Sequence, residues 1–342
     1  MKILILFGGK STEYEISCLS AANVLENTEN HEVTKIGITR DGNWFFTDAP
    51  SDDIRNGKWT EYENIPVTLD LSEKAFVKNG EKLFFDAAFP VLHGKNGEDG
   101  TVQGLFELLD IPYVGPGVLS SSVCMDKITA NVMFEKAGLR HVAWDFCTAD
   151  DFEKDPDGIS ERFSKLCFPV FIKPSNAGSS VGITKCRTVD EIKKAIEIAI
   201  LVDSRILAEH GLENIREIEV GVMGDGDAGA VGEVKSACEV YDYDSKYNNP
   251  ESKTEMPANL PENVRKEVEN SAKKAYTSCA CKGLSRVDFF LDEKGDLYIN
   301  EINTIPGFTS ISMFPMSFKA KGLSYSGIID KLLDFAVKEH KK

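Results

Sequence analysis

A short apolar strand followed by two glycines opens the chain and constrains its fold more than any other feature. Every side chain from Ile3 to Phe7 is apolar, so both faces of a strand over residues 2–7 are expected to be buried, as in a parallel sheet. The run is too short for a signal-peptide core or a membrane span. Gly8 and Gly9 then allow a tight turn that exposes the N-terminus of a following helix, a natural anion-binding position. The opening therefore predicts a βα unit of an α/β fold.

The helix after the glycines is predicted to begin near Thr12, because Thr12 and Glu15 have the spacing of a capping box. Apolar residues recur every three positions between residues 16 and 25 and predict one buried stripe. The Gly-Lys-Ser sequence at 9–11 is not a Walker A motif, because Leu4 stands where its first glycine belongs. The G-x-G-x-x-G pattern of dinucleotide-binding proteins is also absent from this turn.

Alternating strand and helix patterns predict a parallel sheet in the first region, which closes near residues 115–117. Two further regions follow, and we predict domains over residues 1–120, 121–212 and 213–342. The elements predicted beyond the first unit are a turn at 41–42, strands at 84–92, 168–173, 181–186, 205–209, 217–224 and 229–236, helices from 101 onward and at 125–137, 189–202, 262–278 and 324–339, and a hairpin at 284–303.

The chain is strongly acidic, with a formal net charge of −16. Such a surface repels nucleic acids and anionic membranes, so neither is expected as a partner. An anionic substrate would require a local cluster of Lys and Arg. The eight cysteines form no C-x-x-C pair, and we expect free thiols in a reducing cytosol. No targeting segment is recognisable, which favours a cytoplasmic location.

A loop of small residues joins the strands predicted at 168–173 and 181–186. From Lys173 to Gly182 it offers a lysine, hydroxyl side chains and many backbone N–H groups. Such a loop can fold over a polyphosphate, with the amides forming an anion nest and the lysine acting as a point charge. An ordinary Gly/Ser hairpin is an equally good interpretation of this segment alone.

The hairpin at 284–303 carries the most informative polar side chains. Arg286 and Asp288 share one face of the first strand, and Glu301 and Asn303 share one face of the second. A two-residue turn at 294–295 would place Asp288 directly opposite Glu301. Opposed like charges destabilise a sheet, and a bound cation reverses that effect. Two carboxylates and an amide oxygen suit Mg²⁺ held jointly with substrate phosphates, and a solvated acidic face explains Arg286 poorly.

A polar stretch over residues 237–257 contains three tyrosines and lacks periodicity. A structureless segment of this length is usually either disordered or a functional lid. It has too few apolar residues to become rigid alone, so we predict that it is mobile without ligand and closes over bound substrates.

A series of short motifs runs along the chain in a fixed order. They are Gly8-Gly9-x-Ser11-x-Glu13-x-Glu15-x-Ser17, His93-Gly94 with Gly97-Glu98-Asp99-Gly100, Met125-Asp126-Lys127, Lys173-Pro174-Ser175 through Gly182, Arg216-Glu217-Ile218-Glu219-Val220, Tyr241-Asp242-Tyr243 with Lys246-Tyr247, Arg286-Val287-Asp288, and Glu301-Ile302-Asn303-Thr304 with Pro306-Gly307. In this order the motifs resemble those of the D-alanine–D-alanine ligase family. The resemblance implies an ATP-grasp fold of three domains, with ATP between the central and C-terminal ones.

The resemblance also implies a reaction and an ATP site. ATP would convert the carboxylate of one D-alanine into an acyl phosphate, and the amine of a second D-alanine would attack it to give the peptidoglycan precursor D-alanyl-D-alanine. Contacts to the phosphates are implied for Lys127, Lys173, Ser180 and Lys246. Contacts to adenine and ribose are implied for Glu209, His210, Leu212 and Glu217. His210 stands where many relatives have Lys, and we expect little effect because that contact is largely through the backbone.

The remaining implied roles concern the metal and the two amino acids. Mg²⁺ ligands are implied at Asp288, Glu301 and Asn303, with Mn²⁺ as a substitute and two divalent ions per site. Glu13, with His93 nearby, would bind the first ammonium, and Ser312 with the backbone of Met313 would hold the second carboxylate. Arg286 and the N–H of Gly307 would stabilise the tetrahedral oxyanion. Tyr247 would link Glu13 to Ser179 when the lid closes.

Two other interpretations remain beside this one. Similar ligases that make D-alanyl-D-lactate tend to carry Phe where this chain has Tyr247, so Tyr247 favours D-alanine; a D-alanyl-D-serine ligase is a further alternative. A nucleotide-binding regulator with an inactive ATP-grasp fold would have lost a metal ligand or the arginine, and none is missing. The resemblance also implies a homodimer.

Overall fold

The first of three β-sheets is built around the buried opening strand. The computed structural model describes residues 1–235 and 253–342. In the described residues this sheet has the strand order β6-β5-β4-β3-β2-β1-β7. Strand β1 pairs in parallel with both β2 and β7, and its apolar run is fully buried, as predicted. The strands are β1 (Lys2–Gly8), β2 (Glu32–Ile38), β3 (Trp44–Phe46), β4 (Ile65–Asp70), β5 (Ala75–Lys78), β6 (Glu81–Leu83) and β7 (Ala87–Val91).

The helix after β1 begins later than predicted. In α1 (Tyr14–Leu25) the N-cap residue Glu13 makes no side-chain cap, so the predicted capping box of Thr12 and Glu15 is wrong. The hydroxyl of Ser11 instead accepts a hydrogen bond from the backbone N–H of Glu13 at 3.1 Å. The strand predicted at 84–92 is also shorter, since β7 is confined to residues 87–91. The other helices of this region are α2 (Ser51–Arg55), a 3₁₀ turn (Lys58–Glu61) and α3 (Thr101–Leu109).

The helix predicted at 125–137 is confirmed with its start moved to residue 127, and a separate helix that was not predicted precedes it. The elements are α4 (Val118–Met125) and α5 (Lys127–Lys136). Asp126 has extended backbone angles, and its carboxylate accepts a hydrogen bond from the N–H of Thr129 at 2.8 Å, which makes it the N-cap of α5. Its other oxygen pairs with Arg205. The side chain therefore separates the predicted helix from the helix before it.

The second sheet is antiparallel throughout, in the order β10-β9-β11-β8. Its strands are β8 (Trp144–Thr148), β9 (Val170–Pro174), β10 (Thr184–Cys186) and β11 (Arg205–His210). The helices beside it are α6 (Ala149–Lys154), α7 (Pro156–Ser164) and α8 (Val189–Ile200). They bury apolar side chains such as Phe163 and Ile196 against Ile172. The loop between β9 and β10 joins antiparallel strands, as predicted.

The third sheet is also antiparallel, in the order β14-β13-β12-β15-β16. Its strands are β12 (Arg216–Gly224), β13 (Asp227–Lys235), β14 (Lys253–Glu255), β15 (Gly283–Leu291) and β16 (Leu297–Asn303), and its helix is α9 (Glu262–Ser278). Strand β14 falls within the stretch 237–257 that we predicted to be structureless, so that prediction is wrong for residues 253–255, which pair with β13. Lys246 and Tyr247 lie outside the described residues.

The β15–β16 hairpin reaches the predicted register by another route. Asp292 and Asp296 close the turn through a backbone hydrogen bond of 3.1 Å, so the turn is longer than the two residues predicted. An irregularity between Asp288 and Phe289 then shifts the pairing by one residue. Asp288 is therefore opposite Glu301, as predicted.

The C-terminal helices α10 (Met313–Lys319) and α11 (Tyr325–His340) join the first sheet to the third. Their apolar residues Phe314 and Leu332 belong to the same core as Ile5 and Phe89. The segment 304–312 between β16 and α10 is therefore held against the first sheet. Among the described residues no helix has the length and apolar content needed to cross a bilayer. The cysteines of the described residues are free thiols.

Candidate active site

A cavity of about 740 Å³ lies between the second and third sheets. The turn after β1 closes one end of it through Glu13. The predicted site residues that line it are Glu13, Lys127, Lys173, Ser179, Ser180, Glu209, His210, Leu212, Glu217, Arg286, Asp288, Glu301 and Asn303. Four other predicted residues, His93, Gly307, Ser312 and Met313, are described but do not line it.

On the wall formed by the second sheet, Lys173 and Glu209 form a buried ion pair. The Nζ of Lys173 lies 2.6 Å from Oε2 of Glu209, and the amide of Asn131 donates to Oε1 at 3.0 Å. Burial alone would raise the pKa of Glu209, but the ammonium of Lys173 and the amide of Asn131 hold this pKa below its ordinary value. Glu209 is therefore charged, and the positive charge of Lys173 is already balanced.

The loop between β9 and β10 is fixed to the start of α5. Lys127 donates from Nζ to the carbonyl of Ala177 at 2.6 Å and from its backbone N–H to the carbonyl of Ser175 at 3.0 Å. Ser179 and Ser180 have φ values of 49° and 57°, a left-handed conformation that residues with a Cβ rarely adopt. Backbone strain of this kind concentrates at ligand-binding loops. The strained residues are the two serines that the sequence placed near phosphate and substrate.

Glu13 lies where the first sheet meets this loop. A Cβ added to Gly94 would come within 2.4 Å of Oε2 of Glu13, and one added to Gly178 would come within 2.9 Å of the same oxygen. The two glycines therefore leave just enough room for the carboxylate. Because Glu13 is the N-cap residue of α1, its position follows from the glycine turn after β1.

On the opposite wall, the predicted metal ligands come together on the paired strands β15 and β16. The amide nitrogen of Asn303 lies 2.9 Å from Oδ2 of Asp288 and 3.5 Å from Oε1 of Glu301. Burial raises the pKa of Asp288 to about 7, and the charges of Glu219 and Glu301 add to this effect against the guanidinium of Arg286. A cation beside Asp288 would stabilise the charged form of this buried carboxylate.

In this structure that cation is Arg286. Its Nε donates to Oδ1 of Asp288 at 2.7 Å and its NH2 group donates to Oδ2 at 2.6 Å, a two-pronged geometry. Burial would lower the pKa of Arg286, but the charges of Asp288 and Glu219 hold it well above its ordinary value. Arg286 is therefore a permanently charged group within the acidic cluster.

Glu219 completes this cluster and was not among the predicted site residues. It pairs directly across β12 and β15 with Asp288, so Glu219, Asp288 and Glu301 form one row of carboxylates over three strands. Its Oε2 lies 2.8 Å from Nε of Arg286. The spacing in Arg216–Val220 could indicate which face Glu219 occupies, but not which strand lies beside it.

The residues present fit a divalent metal, although no group of three or more His, Cys, Asp or Glu side chains in the described part of the chain is arranged to hold one. Asp288, Glu301 and Asn303 supply the hard oxygen ligands that Mg²⁺ prefers, and phosphate oxygens would complete its coordination. A buried oxygen of Glu219 has no hydrogen-bond partner, which is a further sign of excess negative charge at this position.

Two further residues that sequence reasoning missed join the first sheet to the segment after β16. Glu98 accepts hydrogen bonds from the N–H of Gly94 at 2.8 Å and of Ile305 at 3.1 Å. Burial and then the nearby charge of Glu13 raise the pKa of Glu98 to about 8. The hydroxyl of Ser20 accepts a hydrogen bond from the N–H of Phe308 at 3.1 Å and lies 3.1 Å from Nε2 of His93.

His93 itself is buried and does not line the cavity. Its Nδ1 lies 2.8 Å from the carbonyl of Ile305, so the ring ties the end of β7 to the segment after β16. In the same segment the hydroxyl of Ser312 accepts a hydrogen bond from the N–H of Thr309 at 3.0 Å. Met313 begins α10 and is buried. These three predicted substrate contacts are buried and are not among the residues that line the cavity.

Solved structures with this architecture are similar over the whole chain. The VanG D-Ala:D-Ser ligase from Enterococcus faecalis is 39% identical with a TM-score of 0.89, covering 98% of this chain and 99% of that one. The D-alanine-D-alanine ligase from Coxiella burnetii is 32% identical with a TM-score of 0.88, covering 100% of this chain and 95% of that one. The fold and the cavity between its last two sheets thus define an ATP-grasp ligase.

Comparisons of sequence narrow this class to one family. The model described as D-ala D-ala ligase N-terminus matches residues 2–116, and that described as D-ala D-ala ligase C-terminus matches residues 133–334. The D-alanine--D-alanine ligase of Acetivibrio thermocellus is 43% identical over 99% of this chain and 96% of that protein. That of Clostridium acetobutylicum is 44% identical over 98% and 97%. The chain therefore belongs to the D-alanine–D-alanine ligase family, whose members are ATP-dependent enzymes.

Proposed function

We propose that this chain joins two D-alanine molecules into D-alanyl-D-alanine at the expense of ATP, a cytoplasmic step that supplies a peptidoglycan precursor. The observation that carries the proposal is the cavity in which lysines beside the second sheet face carboxylates and an arginine of the third. A nucleoside triphosphate needs cations along its phosphates and oxygen ligands for its metal. The wall of the second sheet supplies the lysines, and the wall of the third sheet supplies the oxygen ligands.

In the first step, a carboxylate oxygen of one D-alanine attacks the γ-phosphorus of ATP, and ADP leaves. Lys127 and Lys173 neutralise the charge that spreads over the phosphoryl oxygens, and the loop bearing Ser180 covers them. In this structure both ammonium groups bond to protein oxygens, and phosphate oxygens of ATP would replace those oxygens when ATP binds. The predicted contacts to adenine and ribose are Glu209, His210, Leu212 and Glu217, all in the cavity wall.

The metal fits at the acidic wall. Asp288, Glu301 and Asn303 would hold Mg²⁺, for which Mn²⁺ is a substitute, and we propose two divalent ions per site. When bound, the metal neutralises charge on the phosphates during transfer. The protein contributes by keeping the two carboxylates opposed on β15 and β16, where they repel each other without a cation.

In the second step, the amine of the second D-alanine attacks the acyl phosphate, and phosphate leaves. Glu13 holds the ammonium of the first D-alanine, because it is the carboxylate that the turn after β1 brings to the cavity. Arg286, with the N–H of Gly307, stabilises the negative charge that develops on the oxygen of the attacked carbonyl group. Ser312 and the backbone of Met313 hold the carboxylate of the second D-alanine. The Ser312 hydroxyl, which accepts a hydrogen bond from the N–H of Thr309 in this structure, would then donate to that carboxylate.

The remaining parts of the proposal concern assembly and closure. Domains over residues 1–120, 121–212 and 213–342 are supported by the division of the described strands into three sheets. A homodimer is proposed from the family resemblance, and light scattering would test it. Lys246 and Tyr247 carry the proposed lid contacts to the phosphates and to Glu13 with Ser179.

One assay tests the proposed function against its alternatives. ADP release with Mg²⁺ and ATP is measured with D-alanine, and the product is identified by mass spectrometry. D-lactate, D-serine and L-alanine are then offered beside D-alanine. We expect D-alanyl-D-alanine as the main product at pH 7–8. A main product that contains D-lactate or D-serine would replace the proposed second substrate, and absence of any dipeptide would overturn the function.

A further inference from the structure

Arg286 lies beside two carboxylates but donates hydrogen bonds to only one of them. Its Nε and NH2 groups donate to both oxygens of Asp288. Glu219, from the adjacent strand, approaches the same Nε to 2.8 Å. The Nε atom carries a single hydrogen, and this hydrogen points to Asp288. Glu219 is therefore held next to the guanidinium by charge and not by a hydrogen bond.

This arrangement leaves an acceptor unused in a buried place. Oε2 of Glu219 is inaccessible to solvent and has no hydrogen-bond partner. The side chains of Glu219 and Arg286 are only 5% and 8% exposed, so water does not screen the contact. Buried acceptors are nearly always satisfied, and each exception calls for an explanation. Here the unused acceptor lies beside a donor that a competing carboxylate now holds.

Metal binding would resolve this competition. A cation at Asp288 needs the oxygens that Arg286 now occupies. The guanidinium stays charged at any ordinary pH, so it needs another buried anion within reach. We propose that Glu219 is a positioning residue that receives Arg286 when a divalent metal takes Asp288. This inference rests on the proposed function, because it assigns the metal to Asp288 and the oxyanion to Arg286.

A second glutamate on the same sheet shows the contrast. Glu233 is also buried, and Arg216 donates to its two oxygens from Nε at 2.8 Å and from NH2 at 2.7 Å. That pair is complete, with each carboxylate oxygen satisfied by one arginine. Glu233 therefore provides a matched control: it is a buried glutamate on a neighbouring strand, and its arginine donates otherwise to the backbone carbonyl of Asn259 and to no second carboxylate of the described residues.

In the reaction, Asp288 and Glu219 would therefore have different roles, one binding the metal and the other binding Arg286. Asp288 is free to hold the metal only if Arg286 has another anion to move to. After the move, the guanidinium remains beside the cavity, where the oxyanion develops. Without Glu219, Arg286 would stay on Asp288 and compete with the metal for it.

The test measures metal binding apart from turnover. Mn²⁺ affinity of the full chain with ADP is determined by electron paramagnetic resonance for the wild type, Glu219→Gln and Glu233→Gln. Loss of a group that supports a metal ligand typically weakens metal binding by about 10–100-fold, and we expect a loss in this range for Glu219→Gln. The Glu233→Gln control should remain within about twofold, because its pair does not touch the metal ligands. Unchanged Mn²⁺ affinity in Glu219→Gln would overturn the proposal.

A double variant separates positioning from simple loss of negative charge. In an Arg286→Ala background no guanidinium competes for Asp288, so Glu219→Gln should cause little further loss of Mn²⁺ affinity. An equal loss in both backgrounds would mean that Glu219 acts by charge alone, and it would contradict the inference. If Glu219→Gln does not fold, Glu219→Asp serves in both backgrounds, since its shorter carboxylate cannot reach the guanidinium equally well.

Activity distinguishes this inference from the proposed function. Wild-type chain that makes no D-alanyl-D-alanine would refute the function, whereas the Mn²⁺ data would still decide the role of Glu219. With an active wild type, Glu219→Gln should lower kcat more than it raises KM for D-alanine, because Arg286 is misplaced in the transition state. A raised KM with normal kcat would contradict this role.

Discussion

The ammonium of Lys173 lies 2.6 Å from the carboxylate of Glu209, and both side chains are almost inaccessible to solvent. Removal of one partner from such a pair leaves an uncompensated buried charge. We expect Lys173→Ala to lower the free energy of unfolding by about 3 kcal/mol, measured by urea denaturation without nucleotide. A second change, Glu209→Gln, should recover part of this loss.

The control for Lys173 is an exposed ion pair. Lys282 lies 2.7 Å from Asp225, and both side chains are largely exposed. Lys282→Ala should therefore change the free energy of unfolding by less than about 1 kcal/mol. Equal losses in the two lysine variants would show that burial does not govern the Lys173 pair.

Arg286 should act mainly in the transition state. Arg286→Ala is expected to lower kcat about a hundredfold or more, the usual effect of removing a donor to an oxyanion, with a modest change in KM. Arg286→Lys keeps the charge but loses the two-pronged geometry, so it should recover only part of the rate. Steady-state kinetics with D-alanine decide this, and normal kcat with a raised KM in Arg286→Ala would refute the role.

Gly178 leaves room for the carboxylate of Glu13. In Gly178→Ala the new Cβ would lie 2.9 Å from Oε2 of Glu13 and displace it. We expect a KM for the first D-alanine raised about tenfold, which corresponds to roughly 1.4 kcal/mol of binding, with little change in unfolding. The control is Gly104→Ala, where the nearest atom would be 4.0 Å away inside α3. A normal KM in Gly178→Ala would place the ammonium elsewhere.

Glu98 should make the stability of the metal-free chain depend on pH. Burial raises its pKa to about 8 in the folded state, well above the ordinary value of 4.5 that applies when unfolded. Between these values the folded chain holds a proton that the unfolded chain has lost. The contribution is therefore fully present below the unfolded pKa and is lost as pH rises through about 8.

Glu98→Gln should remove this contribution. Relative to the wild type, the variant is expected to gain thermal stability as pH rises from 5 to 9, measured by calorimetry without nucleotide or metal. Asp225→Asn serves as a control, because this exposed carboxylate has a pKa that its hydrogen bond and ion pair with Lys282 hold below the ordinary value. A constant difference between Glu98→Gln and wild type at all pH values would contradict the raised pKa.

Local patterns predicted much of this fold because they depend on neighbours in the chain. The apolar run of β1, the helix at residues 262–278 and the pairing of Asp288 with Glu301 follow from alternation and spacing. The predicted pairing was right although the predicted turn was wrong, because the longer turn and the register shift between Asp288 and Phe289 offset each other. The helix predicted at 125–137 is observed at residues 127–136, because Asp126 caps it from an extended backbone conformation.

Glu219 and Glu98 escaped prediction for a different reason. Their importance depends on contacts with residues far away in the chain, such as Arg286 and Ile305. A sequence pattern can place a carboxylate on one face of a strand, but burial and distant partners set its pKa. The same limit applies to His93, for which the family resemblance implied a place near the first ammonium, because its ring contacts with Ser20 and Ile305 also depend on distant parts of the chain.

The central claim, ligation through an acyl phosphate, has one direct test. D-alanine labelled with ¹⁸O in its carboxylate is incubated with the chain, ATP and Mg²⁺, and the dipeptide and phosphate are analysed by mass spectrometry. Attack of the carboxylate on the γ-phosphorus transfers one of its oxygens to the phosphate that finally leaves. We predict one labelled oxygen in phosphate for each D-alanyl-D-alanine formed. Dipeptide formation with unlabelled phosphate would contradict the proposed mechanism, and release of ADP without dipeptide would contradict the proposed function.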